Sequence, residues 1–195
     1  MRFTLEQKMR TGHVKRWQIV RVAREQTIAE HMYRVYHIAV ELAGMMNLSP
    51  ARMLNVQNWA LLHDLPEVVT GDIATPTKRA MRQAVPDQDP VRHIELSLDR
   101  GYRDLYLGLK ESDPVVLDIV KLADLLEAVN FLMVEGIGKH AEEVEMGLRV
   151  AFLEKLSECR EKYPDLDWEK APEVYGVVGM HAHEQTPAPA YPVTT

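Results

Sequence analysis

The sequence predicts an all-α protein. Three observations carry that expectation: apolar residues recur at helical spacing in several long segments, those segments open on capping residues or prolines, and strand signals are weak throughout. With 195 residues and 46% hydrophobic content the chain can bury one compact core, and its composition shows no break over the first 165 residues. We therefore expect one compact multi-helix domain over residues 1–170. A proline-rich tail over 171–195, ending EQTPAPAYPVTT, is expected to be poorly ordered.

The first long helix runs from Thr27 to Met46. Thr27 and Glu30 form a T-x-x-E capping box, and Ile28, Met32, Val35, Ala39, Leu42 and Met46 fall on one stripe. Ser49-Pro50 supplies an N-cap and a first-turn proline for a second helix that reaches Leu62 and ends near Pro66, with His63 and Asp64 in its last turn. Between Gly71 and Pro90 the sequence reads as a turn, a basic patch (Lys78, Arg79, Arg82) and the polar run VPDQDP, hence a loop. Residues Val91 to Leu109 are expected to form another helix. Asp113-Pro114 starts a strongly apolar one that Gly136 stops, with Asp124 in its middle. A final helix from about His140 to Tyr163 carries Val144, Leu148, Ala151, Phe152, Leu156 and Cys159 at helical spacing and is closed by Pro164. No internal repeat is visible.

Charge and cysteine content narrow the function. A formal net charge of −6 and a pI near 5.8 argue against a nucleic-acid polymer as partner, while small phosphorylated ligands stay possible. Cys159 is the only cysteine, so neither an intramolecular disulfide nor a CxxC zinc motif can form; this fits a reducing, cytoplasmic setting. No apolar run approaches a signal sequence or a membrane span, so no membrane association is expected.

The chemistry-bearing residues are His31, His63-Asp64 and Asp124, contributed by three segments that each read as helical. A His-Asp pair alone is weak evidence, since this composition yields roughly 0.4 such pairs by chance. The context adds weight. His31 lies between Ile28 and Val35 on the core-facing stripe, and Asp124 sits among Leu122, Ala123, Leu125 and Leu126, where an unpaired carboxylate is costly to bury. Taken separately, His31 could be a satisfied core histidine and Asp124 an ion-pair partner of Lys121. Taken together, two imidazoles and two carboxylates without a thiolate suit a divalent metal ion (Co, Mn, Zn, Ni, Fe or Mg) with coordination positions left open. Glu67, four residues after His63, is the candidate general acid/base, against a reading as a solvated surface carboxylate. Arg16 and Lys78 could supply positive charge to a phosphate or be ordinary surface; Trp17 could pack on a sugar or base; Asp72 could be a turn residue or a substrate contact.

Read in order, these residues resemble the HD-domain phosphohydrolases, and within them the 5'-deoxynucleotidase group. The resemblance spans Lys15 to Asp124 and rests on RW at Arg16-Trp17, AEH ending at His31, HDLPE from His63 to Glu67, TGD ending at Asp72, TPTK ending at Lys78 and KLAD ending at Asp124. It implies an all-helical HD-type domain in which His31, His63, Asp64 and Asp124 hold the metal and Glu67 serves the attacking water or the leaving group. It also implies that Arg16 and Lys78 face phosphate, that Trp17 packs on the sugar and helps exclude a 2'-hydroxyl, and that Asp72 lies near the 3' side. The implied reaction cleaves the 5' phosphate of a 2'-deoxyribonucleotide, by a homo-oligomer of two or more chains. The same group includes phage-type enzymes that split dATP into deoxyadenosine and triphosphate, and here Ile19 and Pro76 suit an adenine pocket. Relatives that hydrolyse ppGpp carry an acidic pair after the His-Asp; Val68 after Glu67 lowers that reading. A non-catalytic helical scaffold would have no need of four ligands together with Glu67.

Overall fold

The computed structural model describes residues 2–169, 171 and 174. Among these, nine α-helices and one short 3-10 helix form, and no strand: α1 Leu5–Met9, the 3-10 turn Arg10–Gly12, α2 Ile28–Met45, α3 Pro50–Ala60, α4 Glu67–Thr70, α5 Thr75–Ala84, α6 Pro90–Leu98, α7 Arg100–Ser112, α8 Pro114–Glu135 and α9 Lys139–Lys162. The core is organised around α8. Thirteen of its 22 residues are buried, too many for one apolar stripe, so it is covered on several sides and packs against α2, α3, α7 and α9. Leu42, Val56, Ile119, Leu122, Leu126 and Phe152 meet there with almost no exposed surface.

Caps fix where the helices begin. Thr27 accepts the Glu30 N–H at 3.2 Å, but the Glu30 carboxylate turns away to pair with Arg24, so only half of the expected capping box forms. Ser49 accepts from the Arg52 N–H and Pro50 fills the first turn of α3, as expected. Gly136 ends α8 with its N–H on the Leu132 carbonyl at 2.8 Å; a Cβ there would lie 2.4 Å from that oxygen, so only glycine fits.

Three expectations need correction. The segment expected to be a loop after Gly71 contains α5, a helix with Pro76 in its first turn and no buried residue, so it has no apolar stripe to betray it. The single helix expected from Val91 to Leu109 is broken at Asp99, whose side chain caps α7 through the Tyr102 N–H and also accepts the Phe3 N–H from the N-terminal segment. Thirdly, α3 stops at Ala60, and His63 and Asp64 lie in the turn beyond it rather than in its last turn. Of the stretch expected as a tail, Ala171 and Val174 are buried against the main core; the rest of 170–195 lies outside the described residues.

Asp118 ties α8 to α9 and to Tyr163 just beyond it: Lys155 and Lys162 approach at 2.9 Å and the Tyr163 hydroxyl donates at 2.6 Å. Burial opposes its charge, but these donors outweigh burial and hold its carboxyl below the usual range. A depressed folded-state pKa stabilises above the unfolded value of about 3.9, and that contribution is lost as pH falls through the folded value. Asp118→Asn should therefore cost about 1–3 kcal/mol near neutral pH. In urea denaturation the gap between variant and wild type should shrink as the pH drops below about 4.

Candidate metal centre and its cavity

Three elements converge on one point. α2 contributes His31, the turn after α3 contributes His63 and Asp64, and α8 contributes Asp124. His31 Nε2 lies 3.4 Å from Asp64 Oδ2 and 3.2 Å from Asp124 Oδ1, and His63 Nε2 lies 3.4 Å from Asp64 Oδ2. Ligand atoms of His31, His63 and Asp124 all fall within 4.8 Å of one another. Both Nε2 atoms are buried and lack a hydrogen-bond partner, although the opposite ring nitrogens are engaged: His63 Nδ1 donates to the Ala60 carbonyl at 2.8 Å, and His31 Nδ1 lies 2.6 Å from Glu127 Oε2. Two imidazole lone pairs and the Asp124 carboxylate meeting at one spot fit a divalent cation, with Asp64 beside both imidazoles, and the Nδ1 partners are the outer contacts that orient such ligands.

The electrostatics agree with that donor set. Burial and the Arg16 guanidinium disfavour a charged His31, yet interactions with the Asp124, Asp64 and Glu127 carboxylates hold it protonated up to about 10, a charge that a bound cation would replace. Burial, aided by the neighbouring His31, holds His63 below its ordinary value despite the Asp64 carboxylate beside it. Asp64 is pulled down by His63 and His31 despite burial, and Asp124 is pulled well down by Lys121, which pairs with it at 2.6 Å, and by His31. The Lys121 pair weighed from the sequence exists, and the same carboxylate also faces the two histidines.

Glu67 opens α4 in the bend made by Leu65 and Pro66, with Gly71 closing that single turn at φ +70°. It is buried, not a solvated surface group. Its Oε1 pairs with Lys78 of α5 at 3.3 Å, and its Oε2 is buried without a partner. Burial, then the Asp64 charge, pushes its carboxyl well above the ordinary range against the pull of Lys78. A cation beside it would draw the value partly back.

These groups open into a cavity of about 690 Å³ whose walls include Arg16, Trp17, Ile19, Asp72, Pro76 and Lys78. Every candidate site residue from the sequence except His31 lies on that wall, and His31 sits behind it with no exposed surface. Arg16 is not a surface residue: only 12% of its side chain is exposed, and it donates to Gln26 and Glu127 and lies against the His31 ring. Trp17 takes a left-handed backbone conformation (φ +64°), stacks flat on Phe131 with centroids 5.6 Å apart, and donates its indole N–H to Gln26 at 2.8 Å. Gln18 reaches the Asp72 carbonyl, joining the two loops that flank the opening.

Sequence reasoning missed Glu127, Gln26 and Tyr102. Glu127 falls three residues after Asp124 in α8, where an acidic residue in an apolar run was a readable signal. Tyr102 donates to the His63 carbonyl at 3.0 Å and accepts from Arg92, which steadies the His63-Asp64 turn; no local pattern points to it.

An all-helical fold that assembles a histidine, a His-Asp pair and a distant aspartate around one point defines an HD-type phosphohydrolase. The family model described as 5'-deoxynucleotidase YfbR-like matches residues 3–162, and the chain belongs to that family. Among its relatives is the dATP triphosphohydrolase of Acinetobacter phage SH-Ab 15497, 33% identical over 84% of this chain and 84% of that one. Another is the 5'-deoxynucleotidase YfbR of Salmonella paratyphi B, 31% identical over 75% of this chain and 78% of that one. A solved HD phosphohydrolase of Cyanophage S-2L (DatZ), bound to dA and one catalytic Zn2+ ion, superposes with a TM-score of 0.77 at 27% identity, covering 93% of this chain and 98% of that one.

Asp124→Ala should weaken binding of Zn2+ or Co2+, measured by calorimetry on metal-stripped protein, by more than the roughly 10–100-fold expected for loss of an outer contact. Unchanged affinity would remove Asp124 from the ligand set.

Proposed function

We propose that this protein hydrolyses the 5' phosphate ester of 2'-deoxyribonucleotides, releasing a deoxynucleoside and orthophosphate, with His31, His63, Asp64 and Asp124 holding a divalent ion. The observation that carries the reading is the pair of buried, unpartnered Nε2 atoms facing two carboxylates at the floor of a cavity large enough for a nucleotide. When bound, the ion supplies Lewis-acid polarisation of the phosphoryl group and lowers the pKa of a water. The donor set admits Zn, Co, Mn, Ni, Fe or Mg; the zinc in the phage relative favours Zn.

The chain supplies the rest. Lys78 and Arg16 set positive charge where negative charge builds on the phosphoryl oxygens. Water attacks phosphorus, the bond from phosphorus to the 5' oxygen breaks, and that oxygen must collect a proton; Glu67, buried with a free carboxyl oxygen, is positioned to deliver it or to take one from the water. The left-handed turn at Trp17 sets its indole edge on the cavity wall as a steric screen for the 2' position, with Asp72 facing the 3' side.

A second reading, release of intact triphosphate from dATP, is favoured by a specific observation: Ile19 and Pro76 both line the cavity, and so do Arg82 and Arg92, cations beyond those a single phosphate needs. The phage relatives named dATP triphosphohydrolases support it too. We further propose a homo-oligomer of two or more chains in the cytoplasm. The exposed apolar run of Met146, Val150 and Leu153 on α9 supports the first, and the single buried, reduced Cys159 suits the second.

Chromatography of products from dAMP, dATP, AMP and ATP with added Co2+ or Mn2+ tests the reaction. Orthophosphate from dAMP is expected, chelation should abolish it, and intact triphosphate from dATP would establish the second reading instead. Glu67→Gln should retain metal while losing about 10²–10⁴-fold in kcat; equal loss of metal would make it a ligand rather than a proton carrier.

A further inference from the structure

Behind the metal-facing residues lies a second, buried constellation for which the reaction itself gives no role. Glu127 is 1% exposed, one of the most completely buried charged groups among the described residues, and four side chains converge on it. Its Oε2 meets His31 Nδ1 at 2.6 Å and Arg16 Nη1 at 3.1 Å. Its Oε1 accepts from Gln26 Nε2 at 2.6 Å and from Arg34 Nη1 at 3.2 Å. Gln26, itself fully buried, turns its amide oxygen to Trp17 Nε1 at 2.8 Å and to Arg16 Nη1 at 3.3 Å. One carboxylate thus touches a metal ligand directly, the phosphate-facing arginine directly, and the Trp17 indole through one amide.

We propose that Glu127 is a positioning residue that couples the metal centre to the substrate wall: it orients His31 toward the ion and holds Arg16, and through Gln26 Trp17, in register with it. The inference rests on the deoxynucleotide reading for the Arg16 and Trp17 arm but not for the His31 arm. The physical basis is that all three groups reach the same anchor with little freedom. His31 Nδ1 has two neighbours, the Arg16 guanidinium and the Glu127 carboxylate, and only the carboxylate can accept a proton from it; that bond leaves the Nε2 lone pair for a cation. Arg16 would otherwise be a buried cation, and Glu127 is the carboxylate in contact with it. Since Asp124 and Glu127 are three residues apart on α8, the helix fixes the distance between a ligand and the anchor of the substrate wall. The backbone reinforces this: the Arg16 N–H donates to the Gln26 carbonyl at 2.9 Å, and the Ala23 N–H donates to the Glu135 carbonyl at the end of the same helix at 2.7 Å.

The test is Glu127→Gln, which keeps the shape and removes the charge, read by two binding measurements. Calorimetry of Co2+ on metal-stripped protein should show affinity lowered about 10–100-fold, with an altered Co2+ absorption spectrum. Binding of dAMP to metal-saturated protein, in a Glu67→Gln background that slows turnover enough for a binding measurement, should weaken about tenfold, and adding Arg16→Ala should weaken it no more than Arg16→Ala alone does, because Glu127 acts through Arg16. A purely structural role predicts a lower melting temperature with both affinities of the folded protein unchanged, and that result overturns the proposal; so do additive effects of the two substitutions on dAMP. If dAMP fails to bind even with Glu127 intact, the substrate reading fails and the Co2+ measurement still decides whether Glu127 positions His31. Glu127→Asp, which keeps the charge with shorter reach, should give intermediate Co2+ affinity and serves in place of the Gln variant should that one not fold; wild-type affinity in the Asp variant together with a loss confined to melting temperature overturns the proposal equally.

Discussion

Two carboxylates on one largely buried helix set the conditions that the rest of this structure meets. Glu127 projects from α8 into the apolar core and Asp124 onto the cavity wall beside it, 18% exposed, where an unmatched charge would still be costly. The chain answers with a concentration of counter-charge: His31 between both carboxylates, Lys121 beside Asp124, Arg16 and Arg34 on Glu127. To deliver them, α2 must lie along α8 with His31 inward, and the 13–27 segment must fold back across the end of the helix. The bridges between Lys15 and Thr27 and between Val22 and Gly136 secure that path.

The same arrangement separates the acidic groups by role. Asp64 and Asp124 lie among histidines and a lysine and are held ionised, as their proposed role as cation ligands requires. Glu67 is buried beside the negative Asp64 and is pushed the other way, which suits a group that carries a proton during the reaction. Lys78 keeps its charge because Glu67, Asp64 and Asp72 together outweigh its burial. The roles proposed for these side chains in metal binding, proton transfer and phosphate attraction thus match their local environments.

The family assignment fixes an HD-type phosphohydrolase, while the group released depends on how the cavity is filled. The walls of the cavity carry apolar residues at Ile19 and Pro76 as well as cations beyond Arg16 and Lys78. Relatives carrying both activities in their names match along comparable stretches of the chain. Release of orthophosphate from a monophosphate and release of intact triphosphate from dATP both break the bond to the 5' oxygen, so one centre could serve either reaction, with the choice made by the wall.

The sequence by itself determined the helical class and the long helices α2, α8 and α9, and it singled out the residues proposed as the metal centre, because apolar periodicity, caps and ligand chemistry are written locally. His31 on a core-facing stripe and Asp124 in an apolar run were legible for that reason. α5 was not, since a helix that buries nothing has no stripe, and neither was the break at Asp99, which depends on Phe3 arriving from 96 residues away. Arg16 read equally well as surface, and only the tertiary structure buried it by bringing Glu127, 111 positions downstream, against it. A charged side chain's environment is set by partners far along the chain, so the candidate ligands could be picked out from the sequence, whereas the network around them was decided by the fold.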